Sequence, residues 1–444
     1  MDADAPALRR RITAFDFTLI TVGGVIGSGI FRNPAVVAQR AHTPFLTMLA
    51  WVLGGVLAII GAFVFAELAA RRPQDGGLYA YLKDAFGPGM GFVFVWMDFT
   101  LMYTGGTAAS AALFAGYVAP AFGITLSGKL VAVIAVACVT LINVLGVRQG
   151  ATWQNLLVIL KVGAIAGLIV AGFIAHPVAA HAALPGFANG TALAGALGVA
   201  LLPALFAYQG FHSAAYVTSE TIDAARTIPR GLLLGMGIVV AAYLLVNAGC
   251  LRVLGAAGLA ATATPAADIM TAAVGPWGGR IIAVAIALST LGYMSTSILV
   301  APRVYYALAQ DRMCFPQIGW VHPRTRVPVV AIVLHGTVAA ALAATGTFAQ
   351  IINWTTLPVW TFIALAAVAL FIFRARDGKS SLAAVRVPGH PWSTIVLMAA
   401  VAGVLVAELA IYPLDALYAI VVALAGVALY AFVVRPRLRE VRAA

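Results

Sequence analysis

Gly23-Gly24-Val25-Ile26-Gly27-Ser28-Gly29-Ile30-Phe31, followed by Pro34, interrupts an apolar run that begins near Ala14. Glycine-rich backbone of this kind holds a helix poorly. A second apolar run contains Pro203 and then Phe206-Ala207-Tyr208-Gln209-Gly210-Phe211-His212-Ser213. Both stretches should unwind. In hydrocarbon an unwound stretch strands N–H and C=O groups at several kcal/mol each, so it survives only where it lines a cavity or holds a ligand. Small-residue spacing, such as Gly23 with Gly27, also serves plain helix contact in membranes. That explains one break more readily than two at matching places. A dinucleotide-binding glycine loop is excluded because the flanking strand and βαβ unit are absent.

The surroundings of these breaks are apolar throughout. Over 444 residues, 62% are hydrophobic and 9% charged, with mean hydropathy +1.00, whereas a soluble domain carries about a quarter charged residues. This excludes a soluble globular protein and large extramembrane domains. At roughly 20 to 25 residues per crossing, about twelve helices fit. Apolar runs bounded by charges, Pro and Gly place them at 14–38, 45–70, 89–119, 127–146, 150–174, 192–219, 231–254, 278–307, 328–346, 350–374, 393–412 and 414–434. With the termini in the cytoplasm, the outer side receives only Arg32, Arg40, Lys129, Arg252 and Arg280, and Lys161 lies inside a span; every other Lys and Arg is cytoplasmic. The positive-inside rule favours that orientation. It also accounts for the net charge of +12 without a nucleic-acid partner. The segment Met1 to Arg11 has no convincing cleavage site after it and reads as the start of an uncleaved first helix.

The broken spans are the first and the sixth. They open two five-helix halves, 14–174 and 192–374, and an odd number of crossings inverts the second half relative to the first. Paired broken helices in inverted repeats mark a transporter's midplane site. The expected fold is therefore an all-α polytopic membrane protein of twelve transmembrane helices in one transporter domain. The last two helices, in 393–434, lie outside the repeat.

These residues resemble the amino acid, polyamine and organocation transporters. Within them, the chain is similar to the L-type amino acid exchanger branch and its bacterial serine/threonine exchanger relatives. The likeness is carried by Gly27-Ser28-Gly29-Ile30-Phe31, Gly76-Gly77-Leu78-Tyr79-Ala80-Tyr81-Leu82, Lys161, Phe206-Ala207-Tyr208-Gln209-Gly210, and the stretch from Glu220 to Ile228-Pro229-Arg230. Pro302-Arg303-Val304-Tyr305-Tyr306-Ala307, His322-Pro323 and Val327-Pro328 extend it over nearly the whole chain. The resemblance implies the leucine-transporter (LeuT-type) 5+5 inverted repeat, a free amino acid as substrate, and alternating access. It places the substrate carboxylate on Ile26, Gly27, Ser28 and Gly29, and the ammonium on carbonyls of Phe206 and Gln209, with Gly210 beside them. Half-helix N–H groups suit an anion and unwound carbonyls suit a cation. It makes Phe206 an aromatic lid, although aromatics at such a place also simply pack. Gln209 departs from the Asp or Gly that relatives often have there, so the resemblance does not fix the side-chain selectivity.

Lys161 lies near the middle of the fifth span, too deep for its ammonium to reach either interface. It should face the bundle interior. The resemblance puts it where sodium-coupled relatives hold sodium, which implies sodium-independent transport. Whether it also carries a proton is open. Asp98, about ten residues into the third span, has three readings: recognition of a cationic substrate, pairing with Lys161, or a structural hydrogen bond. Glu67 and Glu220 come at cytoplasmic ends and suit structural ion pairs with neighbours such as Arg71 or Arg230. Glu408 lies outside the repeat and suits an interface role. Tyr103, Tyr208, Ser295 and Thr356 are further pathway candidates, compatible with alanine, serine, threonine or a mid-sized apolar substrate.

No cofactor, metal or enzymatic constellation is expected. There is no HExxH helix and no paired-aspartate motif, and the histidines are scattered, with only His212 near the presumed site. Cys138, Cys250 and Cys314 form no CxxC. The loop from Ala121 to Lys129 lacks the cysteine that animal relatives use for a disulfide-linked heavy subunit, so no such partner is expected. The reading is a sodium-independent exchanger or permease of neutral L-amino acids in the inner membrane, embedded in the lipid bilayer. The alternatives are proton symport, or antiport of cationic amino acids or polyamines.

Overall fold

The computed structural model describes residues 13–72, 77–145, 151–178, 186–187, 189–211, 221–323, 327–377 and 385–438. Gly76, His212 and Glu220 lie outside these. The described residues form an all-helical bundle. Helix starts follow local chemistry. Thr13 and Asp16 make a capping box for α1 (Ala14–Val25), and α2 (Gly29–Ala41) follows after a short break. The Thr43 hydroxyl accepts from the Leu46 N–H and Pro44 opens α3 (Pro44–Arg71). Two short helices, α4 (Gly77–Phe86) and α5 (Pro88–Met97), lead into a π-turn at Asp98–Met102 and then α6 (Tyr103–Phe122). α7 (Gly128–Val144) is capped by Ser127; α8 (Ala151–Ile174) follows.

The second half begins with α9 (Gly190–Tyr208), capped by Asn189. α10 (Ala224–Ala261) is kinked at Gly255. Then come α11 (Pro265–Val274), α12 (Pro276–Gln310), α13 (Val329–Thr345), α14 (Phe348–Asp377), α15 (Trp392–Ile411) and α16 (Pro413–Leu429). Seven helices are long and apolar enough to cross a membrane among the described residues, and the α1/α2 pair, bent by 46°, makes an eighth. Among the described residues, each stretch read as a span coincides with helix apart from the breaks; the part of the sixth beyond Phe211 lies outside the described residues. The helices at 77–86 and 265–274 were not expected. α2 also runs past the expected end of the first span at 38, so Arg40 sits in a helix instead of an outer loop and is buried.

Burial is distributed as a membrane requires. α2, α3, α9 and α14 pack at the centre, whereas α16 exposes Leu414, Leu417, Val421, Leu424 and Val427. Exposed apolar side chains in that number suit lipid contact and would be a liability in water. At one end of the bundle Glu67, fully buried, accepts from Arg71 Nε at 2.9 Å and from Arg374 Nε at 2.9 Å and Nη2 at 2.6 Å, and from the Val387 N–H at 2.8 Å. The expected Glu67–Arg71 pair is thus present, within a larger network that Arg71 and Arg72 extend to Asp377.

Candidate functional site

The two breaks lie against each other. α1 stops at Val25, and Ile26 turns to an extended conformation with ψ 90° before α2 starts at Gly29. α9 stops at Tyr208, Gln209 is extended, and Gly210 takes φ 109°. A Cβ on Gly210 would stand 2.5 Å from the Gly24 carbonyl oxygen, and one on Gly29 would stand 2.7 Å from Ala207 Cα. Glycine is therefore required at both contacts. Ile26, Ser28 and Phe206 are all buried, so the site is closed around the breaks.

The last carbonyls of α1 have identifiable partners. Val22 O accepts from the Ile26 N–H at 2.9 Å, Val25 O from the Tyr243 hydroxyl at 3.3 Å, and Gly23 O from Lys161 Nζ at 3.4 Å. Lys161 is buried, pointing from α8 into the bundle. At the end of α9, Leu205 O accepts from Trp360 Nε1 at 3.2 Å, while Phe206 O accepts a long bond, 3.4 Å, from the Gln209 N–H. Ser28 makes no side-chain cap for α2, which leaves the first N–H groups of that helix to another acceptor. The N-terminal end of α2 and the carbonyl end of α9 thus lie against one another. Gln209 Oε1 is also buried there without a hydrogen-bond donor.

A model of the amino acid permease family matches residues 12–434. The chain belongs to the amino acid permease family. A serine/threonine exchanger of Bacillus subtilis (strain 168) is 29% identical over 438 residues, covering 97% of this chain and 98% of that one. A b(0,+)-type amino acid transporter of Oryctolagus cuniculus is 28% identical over 388 residues, 83% of this chain and 77% of that one. An uncharacterized transporter of Mycobacterium tuberculosis is 32% identical over 375 residues, 84% and 82% of the two chains. These relatives are transporters, not enzymes.

The remaining pathway candidates of this permease divide. Asp98 begins the π-turn, is 1% exposed, and neither of its oxygens accepts a hydrogen bond. No structural hydrogen bond holds it, and no salt bridge joins it to Lys161 among the described residues. The Thr355 hydroxyl donates to Leu101 O at 3.2 Å, filling an acceptor in the π-turn. Thr356, next to it, is buried with an unbonded hydroxyl oxygen. Tyr103 supplies its backbone carbonyl to the Thr107 hydroxyl.

Two candidates point elsewhere. Tyr208 turns toward α3, where its hydroxyl donates to Trp51 O at 3.2 Å and its ring packs edge-on to Trp51 and against Tyr243. Ser295 Oγ accepts from Asn143 Nδ2 at 3.3 Å, which turns it toward α7. The residue of α12 that reaches the break is Tyr293: a Cβ on Gly27 would lie 3.8 Å from its ring and one on Gly106 would lie 2.8 Å from its hydroxyl. Sequence reasoning missed Tyr293, Tyr243 and Trp360, because an aromatic inside an apolar run looks the same whether it faces lipid or a site. It also passed over His335, whose Nε2 and Nδ1 each lie 3.1 Å from the hydroxyls of Thr107 and Tyr305.

Proposed function

We propose that this permease is a sodium-independent exchanger of neutral L-amino acids that works by alternating access. The observation that carries the reading is the meeting of opposite backbone ends at the two breaks: the uncapped N-terminus of α2 and the carbonyl end of α9. The substrate carboxylate binds the N–H groups and hydroxyl of the Ile26, Gly27, Ser28 and Gly29 segment. The ammonium binds the carbonyls of Phe206 and Gln209. Gly210 lets the ligand and α1 approach the backbone, and Phe206 covers the bound molecule. Gln209 Oε1, unbonded in the closed site, is the group that meets a substrate hydroxyl or amide.

Lys161 supplies a fixed positive charge to the carbonyl end of α1, so no sodium ion is needed there. A neutral side chain is favoured because the buried guanidinium of Arg40 is committed to Val199 O and Asn353 and Arg32 is turned over the Phe348 ring. The serine/threonine exchanger, matched over nearly its whole length, supports small neutral substrates. The proposed frame is twelve crossings in an inverted five-plus-five repeat, 14–174 and 192–374, with helices eleven and twelve in 393–434 and cytoplasmic termini in the inner membrane. No heavy subunit joins it.

The unbonded carboxylate of Asp98 favours one second reading, in which a proton or a cationic amino acid is the coupled species. Uptake of labelled alanine, serine and threonine into proteoliposomes separates the two. Uptake that requires internal amino acid and ignores sodium and proton gradients supports exchange; uptake into empty vesicles that follows a proton gradient supports the second reading. Transport of no amino acid under any condition overturns both.

A further inference from the structure

Arg40 sits in a buried polar cluster away from the breaks, where α2, α9, α14 and the turn between α15 and α16 meet. The cluster starts from a proline. Pro203 has no N–H, so the Val199 carbonyl one turn earlier in α9 lacks its helical donor. Arg40 Nη1 replaces that donor at 2.7 Å. Arg40 Nη2 donates to Asn353 Oδ1 at 2.8 Å, and Asn353 Nδ2 donates to Asp415 Oδ2 at 2.9 Å. Trp354 Nε1 donates to the other Asp415 oxygen at 2.9 Å. The guanidinium carbon lies 5.2 Å from the centre of the Tyr412 ring.

Glu408 stands one helical turn before Tyr412, whose N–H donates to its carbonyl at 2.7 Å. Its neighbour Ala407 is pressed on α9: a Cβ on Gly198 would be 2.5 Å from Ala407 Cβ. Glu408 therefore sits where α15 packs on the part of α9 that Arg40 serves. It is 1% exposed, and neither carboxyl oxygen accepts a hydrogen bond.

The charges of this cluster do not balance when every group is ionised. One guanidinium faces two carboxylates. Asp415 accepts two hydrogen bonds, one on each oxygen, and is partly exposed. Glu408 accepts none in a dry site, where an ionised carboxylate is costly, and one proton there makes the cluster neutral. The charged groups acting on Glu408 are Arg40 from α2 and Asp415 from α16. α9 carries no charged residue, and the charges of α3 and α14 (Glu67, Arg71, Arg374, Arg376 and Asp377) lie at the other ends of those helices.

We propose that Glu408 is a proton-binding site, neutral while α9 is docked against α15 with Arg40 over Tyr412, and deprotonated when they separate and water enters. The docked arrangement binds the proton more tightly, so acid favours docking and rising pH favours separation. The movement in this statement rests on the alternating-access reading; the proton does not.

The test uses the purified full-length chain in lipid nanodiscs, with the proton as the only ligand. Infrared spectra at neutral pH report protonated carboxyl groups directly. Because Asp98 is a second buried, unbonded carboxyl, the measurement is made on Asp98→Asn, whose remaining protonated-carboxyl band is expected to disappear in Asp98→Asn combined with Glu408→Gln and to persist when Asp415→Asn is added instead. The Asp98→Asn spectrum alone decides the point should the double variant fold poorly, since absence of the band there overturns the proposal. A second readout is the distance between spin labels on α9 and α15 across a pH series. Wild type should shift toward the separated distance as pH rises, and Glu408→Gln should lose that shift; the same shift in both overturns the coupling. Failure of amino acid transport would count against the proposed function and leave the infrared result standing.

Discussion

Lys161 Nζ lies 3.4 Å from the carbonyl oxygen of Gly23, so a side chain of α8 closes an acceptor that the break in α1 leaves open. The neighbouring acceptors are served by Ile26 N–H and Tyr243, which makes Lys161 one of three donors completing the end of one half-helix. Substituting Lys161→Ala strands the Gly23 carbonyl in a buried place, a loss of roughly 1 to 3 kcal/mol. Transport should fall by more than tenfold in proteoliposomes, and thermal unfolding in detergent should shift downward. Wild-type exchange should be equal in sodium and choline buffers; a sodium requirement would sink the fixed-charge reading.

The two glycines of the first break should respond differently to the same methyl group. At Gly29 a Cβ meets Ala207 Cα at 2.7 Å and Ala207 Cβ at 2.9 Å, both on a helix that cannot retreat without parting the breaks. Gly29→Ala should destabilise by about 1 to 3 kcal/mol through overpacking. At Gly27 the nearest side-chain atom is the Tyr293 ring at 3.8 Å, an ordinary contact. Gly27→Ala should keep its melting temperature yet lose substrate affinity by narrowing the gap. Equal melting temperatures for the two variants would contradict the close approach.

Glu67 makes a stability prediction at the other end. Its side chain is fully buried, with two arginines and one backbone N–H donating to it. Glu67→Gln leaves Arg71 and Arg374 without their shared carboxylate, and breaking a buried pair on one side costs about 3 to 5 kcal/mol. A drop in detergent melting temperature without a change in substrate selectivity is expected. Restoration by Asp at the same position should be partial, because the shorter side chain cannot hold both arginines.

The sequence exposes what is local and hides what is joined over distance. The spans are legible because apolar runs bounded by charge are a local signal, and the breaks because Gly and Pro punctuate them. Glu67 with Arg71 is legible because four residues place them on one helix face. α4 and α11 are short, so hydropathy alone passes over them. Arg40 reads as a loop residue until its partner, the Val199 carbonyl orphaned by Pro203, is brought to it from a distant helix. Ser295 was a candidate on polarity alone, yet the rotation of α12 turns Tyr293 to the break and Ser295 to Asn143. No periodicity in an apolar helix records that rotation.

Asp311, past the end of α12, carries the pH prediction because it lies in a solvent-facing loop. The Tyr79 hydroxyl and Lys83 Nζ of α4 both donate to its Oδ2 at 2.6 Å. Partial burial pushes the Asp311 carboxyl up, but the hydrogen bonds from Lys83 and Tyr79 and the Lys83 charge outweigh it and hold the group below its ordinary value. A carboxyl lowered on folding contributes stability above its unfolded value, about 3.9, and that contribution is lost as pH falls through the lower folded value. Wild type minus Asp311→Asn should therefore show a melting-temperature difference that is flat from neutral pH down to about 4 and shrinks only below it. The difference should be small, because Lys83 and Asp311 are both more than a third exposed and salt screens them. Raising the salt concentration at neutral pH should reduce the charge-dependent part and leave the Tyr79 hydrogen bond, so Tyr79→Phe should add a loss that salt does not alter. A difference that instead grows as pH falls below 4 would mean the protonated form is the one α4 holds, reversing the assignment of Asp311 as the acceptor that ties α4 to α12.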